Sequence, residues 1–254
     1  MSDKIQFKTE KQIGRIILNR PDKLNALDPE MMGIIDAAID ELERSHEIRV
    51  LIVEAAGGKS FCVGADILAW TSRSPLQMWS EWIRRGHRIF DRLAQVRQPV
   101  ICAINGYAFG GGLELALACD LRIASDSARF AMPEVKLGTV PGWGGTDRLT
   151  KLVGAARAKQ MIFSGESVTA EIAERWGIIN EVVTAASLNE RVRTLAEIIG
   201  ANAPVAVQTA KQLIGNSSGV VLESLAGAVN AFTEDAKEGL SAFRERRSPK
   251  FEGR

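Results

Sequence analysis

An α/β fold followed by a helical tail is predicted for this 254-residue chain by three observations. Apolar runs of strand type alternate with stretches of helical periodicity up to about residue 140. Beyond residue 144 the pattern is almost wholly helical. Glycine turns at Gly64 and at Gly110-Gly111-Gly112 follow buried-type strands, where a backbone without Cβ atoms can approach a ligand closely.

Residues 5–10 and 14–19 read as two short strands joined by a turn at Glu10-Lys11-Gln12. Pro21 ends the second, because it cannot donate to a central ladder. Asp28-Pro29-Glu30 is a helix start with an Asp cap and Pro at the first helical position. Met31, Ile34, Ile35, Ala38, Ile39 and Leu42 then keep helical spacing to about Arg44. Val50-Leu51-Ile52-Val53 is a strand covered on both faces, ended by Gly57-Gly58. A helical stretch spans 75–96, a buried strand 100–104, a helix 113–119, and strands 121–124 and 129–132. Helices are then expected from about Gly144, Thr169, Ser187, Pro204, Val220 and Glu234, with a strand at 178–183 as the one exception. This divides the chain into an α/β core over residues 1–190 and a helical region over 191–254. The tail carries enough apolar residues that it must pack on its own core or on another subunit.

Composition removes several classes. With 46% hydrophobic and 25% charged residues and only 8 prolines, the chain is neither disordered, collagenous nor a coiled coil. Its formal net charge of +1 supplies no field toward nucleic acid or anionic lipid. Cys62, Cys102 and Cys119 form no CxxC or zinc pattern, as expected of a reduced cytosol. The longest apolar run, 113–119, is interrupted by Glu114 and falls far short of the roughly 20 residues that span a bilayer. The start, Met1-Ser2-Asp3-Lys4-Ile5-Gln6, shows neither a signal core nor a transit pattern, so a cytoplasmic protein is expected.

Some candidate motifs fail. Gly57-Gly58-Lys59-Ser60 lacks the earlier glycine of a phosphate loop, since Val53 stands there. Gly142-Trp143-Gly144-Gly145-Thr146-Asp147 half-matches a dinucleotide fingerprint without its last glycine. No GxSxG occurs, and His46 and His87 fall on predicted helices with no nucleophile nearby in sequence.

Glu114 is different. It sits in a helix apolar on nearly every side, where a carboxylate is costly unless paired or employed. One reading is a buried ion pair with Arg122 or Arg129. The other starts from the glycines before it, which open a helix N-terminus to a ligand. Two glycine turns can each aim one N–H at a single oxygen, forming an oxyanion hole. Glu134, in Pro133-Glu134-Val135, supplies a second carboxylate. Two carboxylates at one oxyanion hole suit the addition or removal of water across a double bond conjugated to a carbonyl.

These segments resemble the enoyl-CoA hydratases of the crotonase (enoyl-CoA hydratase/isomerase) superfamily over essentially the whole chain. The likeness is carried by Leu18-Asn19-Arg20-Pro21-Asp22-Lys23-Leu24-Asn25-Ala26-Leu27 and Phe61-Cys62-Val63-Gly64-Ala65-Asp66-Ile67. It continues in Ile104-Asn105-Gly106-Tyr107-Ala108-Phe109-Gly110-Gly111-Gly112-Leu113-Glu114-Leu115 and Cys119-Asp120-Leu121-Arg122-Ile123-Ala124. Met132-Pro133-Glu134-Val135-Lys136-Leu137-Gly138 and Pro141-Gly142-Trp143-Gly144-Gly145-Thr146 complete it.

The resemblance implies a spiral of ββα units with a C-terminal helical trimerisation region, assembled as trimers or dimers of trimers. It implies backbone N–H groups of Ala65 and Gly111 on the thioester oxygen, Glu114 as base on water, and Glu134 as donor of the α-proton. Gly142 would lie beside that water. CoA contacts are implied for Lys23, Leu24 and Ala26, for Val63, Ala65, Asp66, Ile67 and Leu68, and for Arg246 near a neighbouring subunit's CoA. No metal or cofactor is implied, since CoA arrives with the substrate. Both glutamates are present, which favours a hydratase over the family's isomerases; an isomerase or another acyl-CoA enzyme of the family (a hydrolase or ring hydratase) is the alternative, and an RNA-binding homologue is disfavoured by charge. Met132 replaces a usual Gln and Trp143 a usual small residue. Trp143 is therefore expected at the acyl group, with Trp70, Trp79 and Trp82 either shaping its pocket or packing a core or trimer contact.

Overall fold

The computed structural model describes residues 3–71, 73–214 and 219–254; Met1 and Ser2, part of the N-terminal segment read for a leader, lie outside them. β1 (Ile5–Glu10) and β2 (Ile13–Leu18) form an antiparallel hairpin whose turn residue Lys11 takes a left-handed φ of 53°. α1 (Pro29–Arg44) begins as its sequence requires, with the Asp28 carboxylate accepting from the Met31 N–H at 2.9 Å. Its Met31, Met32, Ile35, Ala38, Ile39 and Leu42 stripe is buried.

The chain then alternates between two sheets. β3 (Val50–Ala55) leads into β4 (Ser60–Cys62). After α2 (Ile67–Thr71), α3 (Pro75–Gln77), a π-helical turn at Met78–Ile83 and α4 (Arg84–Gln95), β5 (Val100–Ile104) leads into β6 (Tyr107–Phe109). After α5 (Gly111–Leu117), β7 (Leu121–Ser125) leads into β8 (Arg129–Ala131). The first strand of each pair joins the larger sheet, which runs β1-β2-β3-β5-β7 to this point, and the second joins the smaller sheet, β4-β6-β8. Each ββα unit thus advances both sheets by one parallel strand, and that repetition is the spiral.

α6 (Gly145–Ser164) is broken at Gly154, where φ is 76° and ψ 162°. β9 (Val168–Thr169) closes the smaller sheet antiparallel to β8. α7 (Ala170–Trp176) is followed by β10 (Glu181–Val183), the last strand of the larger sheet, parallel to β7. α8 (Leu188–Gly200), α9 (Pro204–Leu213), α10 (Gly219–Ala231) and α11 (Glu234–Glu245) complete the chain. α8 seals the outer face of the larger sheet with Leu188, Val192 and Ala196. Lys211 ties α9 to the core, pairing with Asp120 at 2.7 Å and donating to the Gln98 carbonyl at 2.9 Å.

Several expectations are corrected. β6, β9 and α2 are too short to leave a periodic signal. The strand expected at 178–183 starts only at Glu181, because the N–H groups of Ile178 and Ile179 turn back to the Ala173 carbonyl. The helix expected at 113–119 begins two residues earlier, so Gly111 and Gly112 are helical. His46 lies beyond the end of α1, not on it.

Candidate active site

Two backbone N–H groups converge first. Gly64 takes φ 99° and Gly110 takes φ 51° with ψ −127°, conformations open to glycine. The Gly110 N–H is spent on the Ala131 carbonyl at 2.9 Å, whereas Gly111, as the first residue of α5, has no helical acceptor. A Cβ on Gly111 would stand 3.5 Å from the Ala65 nitrogen, and one on Gly64 would stand 3.0 Å from the Gly111 nitrogen, so the two turns abut. Neither the Ala65 nor the Gly111 N–H donates to an acceptor among the described residues. The Ala65 turn is held from behind: Leu27 donates to Gly64 O at 2.8 Å and Asp66 to Leu27 O at 2.8 Å. Arg20 clamps the same turn through Asp66 Oδ2 at 2.7 Å.

Glu114 lies one turn into α5, with every residue of the helix buried. Its Oε1 accepts the Trp143 N–H at 2.7 Å and the Gly145 N–H at 2.8 Å. Burial raises its pKa, against the opposing pull of the Gly145 and Trp143 bonds and the Arg148 charge. No ion pair holds it: Arg122 donates instead to the Ile178 and Cys119 carbonyls, each at 2.6 Å, and Arg129 to the Ala128 carbonyl at 3.0 Å. Met132, fully buried, packs where a Cβ on Gly145 would fall, 2.9 Å from its Cε, and adds to the apolar surroundings of the carboxylate.

Glu134 opens the 3-10 turn Glu134–Leu137 after β8. Its Oε1 stands 3.0 Å from where a Cβ on Gly110 would be, and its Oε2 is buried with no hydrogen-bond partner. Burial, together with the Glu114 charge and against its own backbone N–H, pushes its pKa up to about 7. A carboxyl at that pKa can both give and take a proton near neutrality.

Both carboxylates, both N–H turns and Gly142 line one cleft enclosing about 680 Å³ of space, mouth included. Trp143 and Trp82 close its inner side with Trp70, while Ile67, Leu137 and Val140 form an exposed rim. Of the positions expected at CoA, Val63, Ala65, Ile67, Gly111 and Trp143 line the cleft. Lys23, Leu24, Ala26, Asp66, Leu68 and Arg246 do not; Leu24 receives the Val63 N–H at 3.3 Å, and Leu68 is 81% exposed. Arg246 is exposed at the end of α11, away from this chain's own cleft. Trp79 departs from the expected acyl pocket, being 62% exposed beneath the Arg84 guanidinium.

Reading the sequence missed Arg148 and the Gly145 N–H. Arg148 donates to the Trp143 carbonyl at 2.9 Å and pairs with Asp91, which fixes the loop that holds Glu114. The signal was present in Gly142-Trp143-Gly144-Gly145, where a glycine-rich loop opens a helix, but only the fold shows that its anion is a side chain of the same chain.

A family profile described as enoyl-CoA hydratase/isomerase matches residues 8–254. The short-chain-enoyl-CoA hydratase of Clostridium acetobutylicum is 41% identical over 250 residues, covering 96% of this chain and 95% of that one. The (E)-benzylidenesuccinyl-CoA hydratase of Thauera aromatica is 39% identical, covering 98% and 99%. The crystal structure of an enoyl-CoA hydratase from Bacillus anthracis superposes with a TM-score of 0.95 at 35% identity, over 99% of this chain and 100% of that chain.

Proposed function

This chain belongs to the enoyl-CoA hydratase/isomerase family, and from that premise we propose that it adds water across the 2,3 double bond of a 2-enoyl-CoA thioester. The observation that carries the proposal is the presence of two glutamates, Glu114 and Glu134, in one cleft with the unspent Ala65 and Gly111 N–H groups. The thioester oxygen accepts from those two N–H groups, which stabilise it most when it carries the enolate charge. Glu114, its Oε1 fixed by the loop, takes a proton from water as the water oxygen bonds to C3. Glu134 breaks its O–H bond and delivers that proton to C2, collapsing the enolate. The proton on Glu114 then passes to Glu134, directly or by exchange through solvent, which restores the starting state. This chemistry asks nothing of a metal or redox cofactor.

CoA itself would run over the rim past Lys23, Leu24, Ala26 and Leu68. Arg246 would serve the CoA of a neighbouring subunit in a trimer or dimer of trimers. Val220, Val221, Leu225 and Val229 on α10, with Leu240 and Phe243 on α11, are 58–83% exposed, an apolar face that such an assembly would cover. No helix of the described residues is long and apolar enough to cross a membrane. The proposed reading is a cytoplasmic enzyme acting on acyl-CoA and not on nucleic acid, for which a net charge of +1 supplies no attraction.

The test is incubation with crotonyl-CoA and branched and cyclic 2-enoyl thioesters, read by mass spectrometry. A gain of one water, lost in Glu114→Gln and Glu134→Gln, is expected. A shifted double bond at constant mass, or loss of CoA, would transfer the assignment to isomerase or hydrolase.

A further inference from the structure

The cleft has a second cavity behind it. That space spans about 380 Å³, its open mouth included, and is lined by Pro29, Met32, Arg73, Glu81, Arg85 and Gly86, together with Trp82 and Trp143. Among the described residues, those two tryptophans are the only ones that line both spaces. Their ring centroids stand 5.4 Å apart at 56°, and the edge of Phe90 braces Trp143 at 5.3 Å. The indole of Trp143 is wedged between two helices that have no side chain where it passes. A Cβ on Gly111 of α5 would stand 2.5 Å from its Cζ3, and a Cβ on Gly86 of α4 would overlap its Nε1. Trp143 and Trp82 are only 3% and 8% exposed. Arg73 lies 5.3 Å over the Trp82 ring on the far side and pairs with Glu81 at 3.0 Å.

We infer that Trp82 and Trp143 are a partition that ends the acyl pocket, so that the site takes short acyl groups while a second chamber stands ready behind the wall. The inference rests on the hydratase reading for its substrate and on the two shared indoles for its geometry. An acyl chain enters from the rim at Ile67, Leu137 and Val140 and places its thioester oxygen beside Gly111. Trp143 lies against that same residue, so a growing chain meets indole within a few carbons of the thioester. Removing one indole would join the two spaces.

The experiment measures kcat/KM for crotonyl-CoA and for trans-2-decenoyl-CoA in the wild type, Trp143→Leu and Trp82→Leu. The wild type is expected to favour the four-carbon substrate by roughly 100-fold, and either variant to raise the ten-carbon to four-carbon ratio by about 10-fold or more. The ratio is read because the Trp143 N–H also holds Glu114, so a general loss of activity cancels. Should Trp143→Leu fail to fold, Trp82→Leu carries the test. A wild type that handles decenoyl-CoA as well as crotonyl-CoA overturns the inference, as does a folded variant with an unmoved ratio. If the wild type hydrates no enoyl thioester, the hydratase reading has failed. The wall is then judged by calorimetric Kd values for butyryl-CoA and decanoyl-CoA in the same proteins, with the same 10-fold shift expected and equal affinities in the wild type counting against it.

Discussion

Helix α5 and the turn Glu134–Leu137 each bring one glutamate to the same cleft, from opposite kinds of structure. All seven residues of α5 are buried, whereas none in the turn is fully so. Glu114 has an oxygen locked by two N–H donors, while Glu134 keeps a buried oxygen with no partner. Burial raises both pKa values; Glu114 is held down in turn by the N–H groups of the α6 loop and by the Arg148 charge, Glu134 by its own backbone N–H alone. The difference teaches how one residue type can serve two roles. In the proposed reaction the base is the carboxylate with fixed donors from a loop, and the acid is the one that has only its own backbone N–H.

The largest test of this contrast is catalytic. Glu114→Gln is expected to lower the hydration kcat by about 10³–10⁴-fold, and Glu134→Gln by about 10²–10³-fold, in steady-state assays on crotonyl-CoA. Equal and small losses at both would break the division of labour. The next test is of rigidity. A Cβ at Gly112 in α5 would overlap the Cys62 carbonyl oxygen, which is backbone and cannot step aside, so Gly112→Ala should cost about 3 kcal/mol or more in urea unfolding. Gly138, which ends the turn at φ 70° with open space around it, should cost only about 1 kcal/mol as Gly138→Ala, through strain alone.

The two remaining tests use pH. With Glu134 titrating at about 7 and acting as the acid, hydration should fall as pH rises through 7, and that limb should vanish from the profile of Glu134→Gln. The same group should weaken the fold. Its pKa is higher folded than unfolded, so the folded state binds the extra proton and stability is lost as pH rises from about 4 through 7. Glu134→Gln should therefore be more stable than the wild type at pH 8, by about 3 kcal/mol, and equal to it at pH 4. A thermal-melt difference that does not change with pH would show that the carboxyl is not strained by burial.

The sequence by itself determined the long elements. Asp28-Pro29 starts α1, the Val50 and Val100 runs become central strands, and the helical tail starts close to its capping residues, with Thr169 and Thr233 accepting N–H bonds at 3.2 Å and 3.1 Å. It also singled out Glu114, because a charge in an apolar helix is visible without any fold. The three-residue strands β4 and β6 and the short α2 were faint for the same reason the long elements were clear: periodicity needs several residues to register. What only the tertiary structure decided is who meets whom. That Glu114 is held by residues 29 and 31 positions ahead, and not by Arg122, depends on α5 packing against the start of α6. That Trp143 stands between two chambers depends on bare helix surfaces at Gly86 and Gly111. Local pattern follows from backbone sterics and burial, which each segment carries with it. A site is made of distances between segments, and those exist only once the spiral has closed.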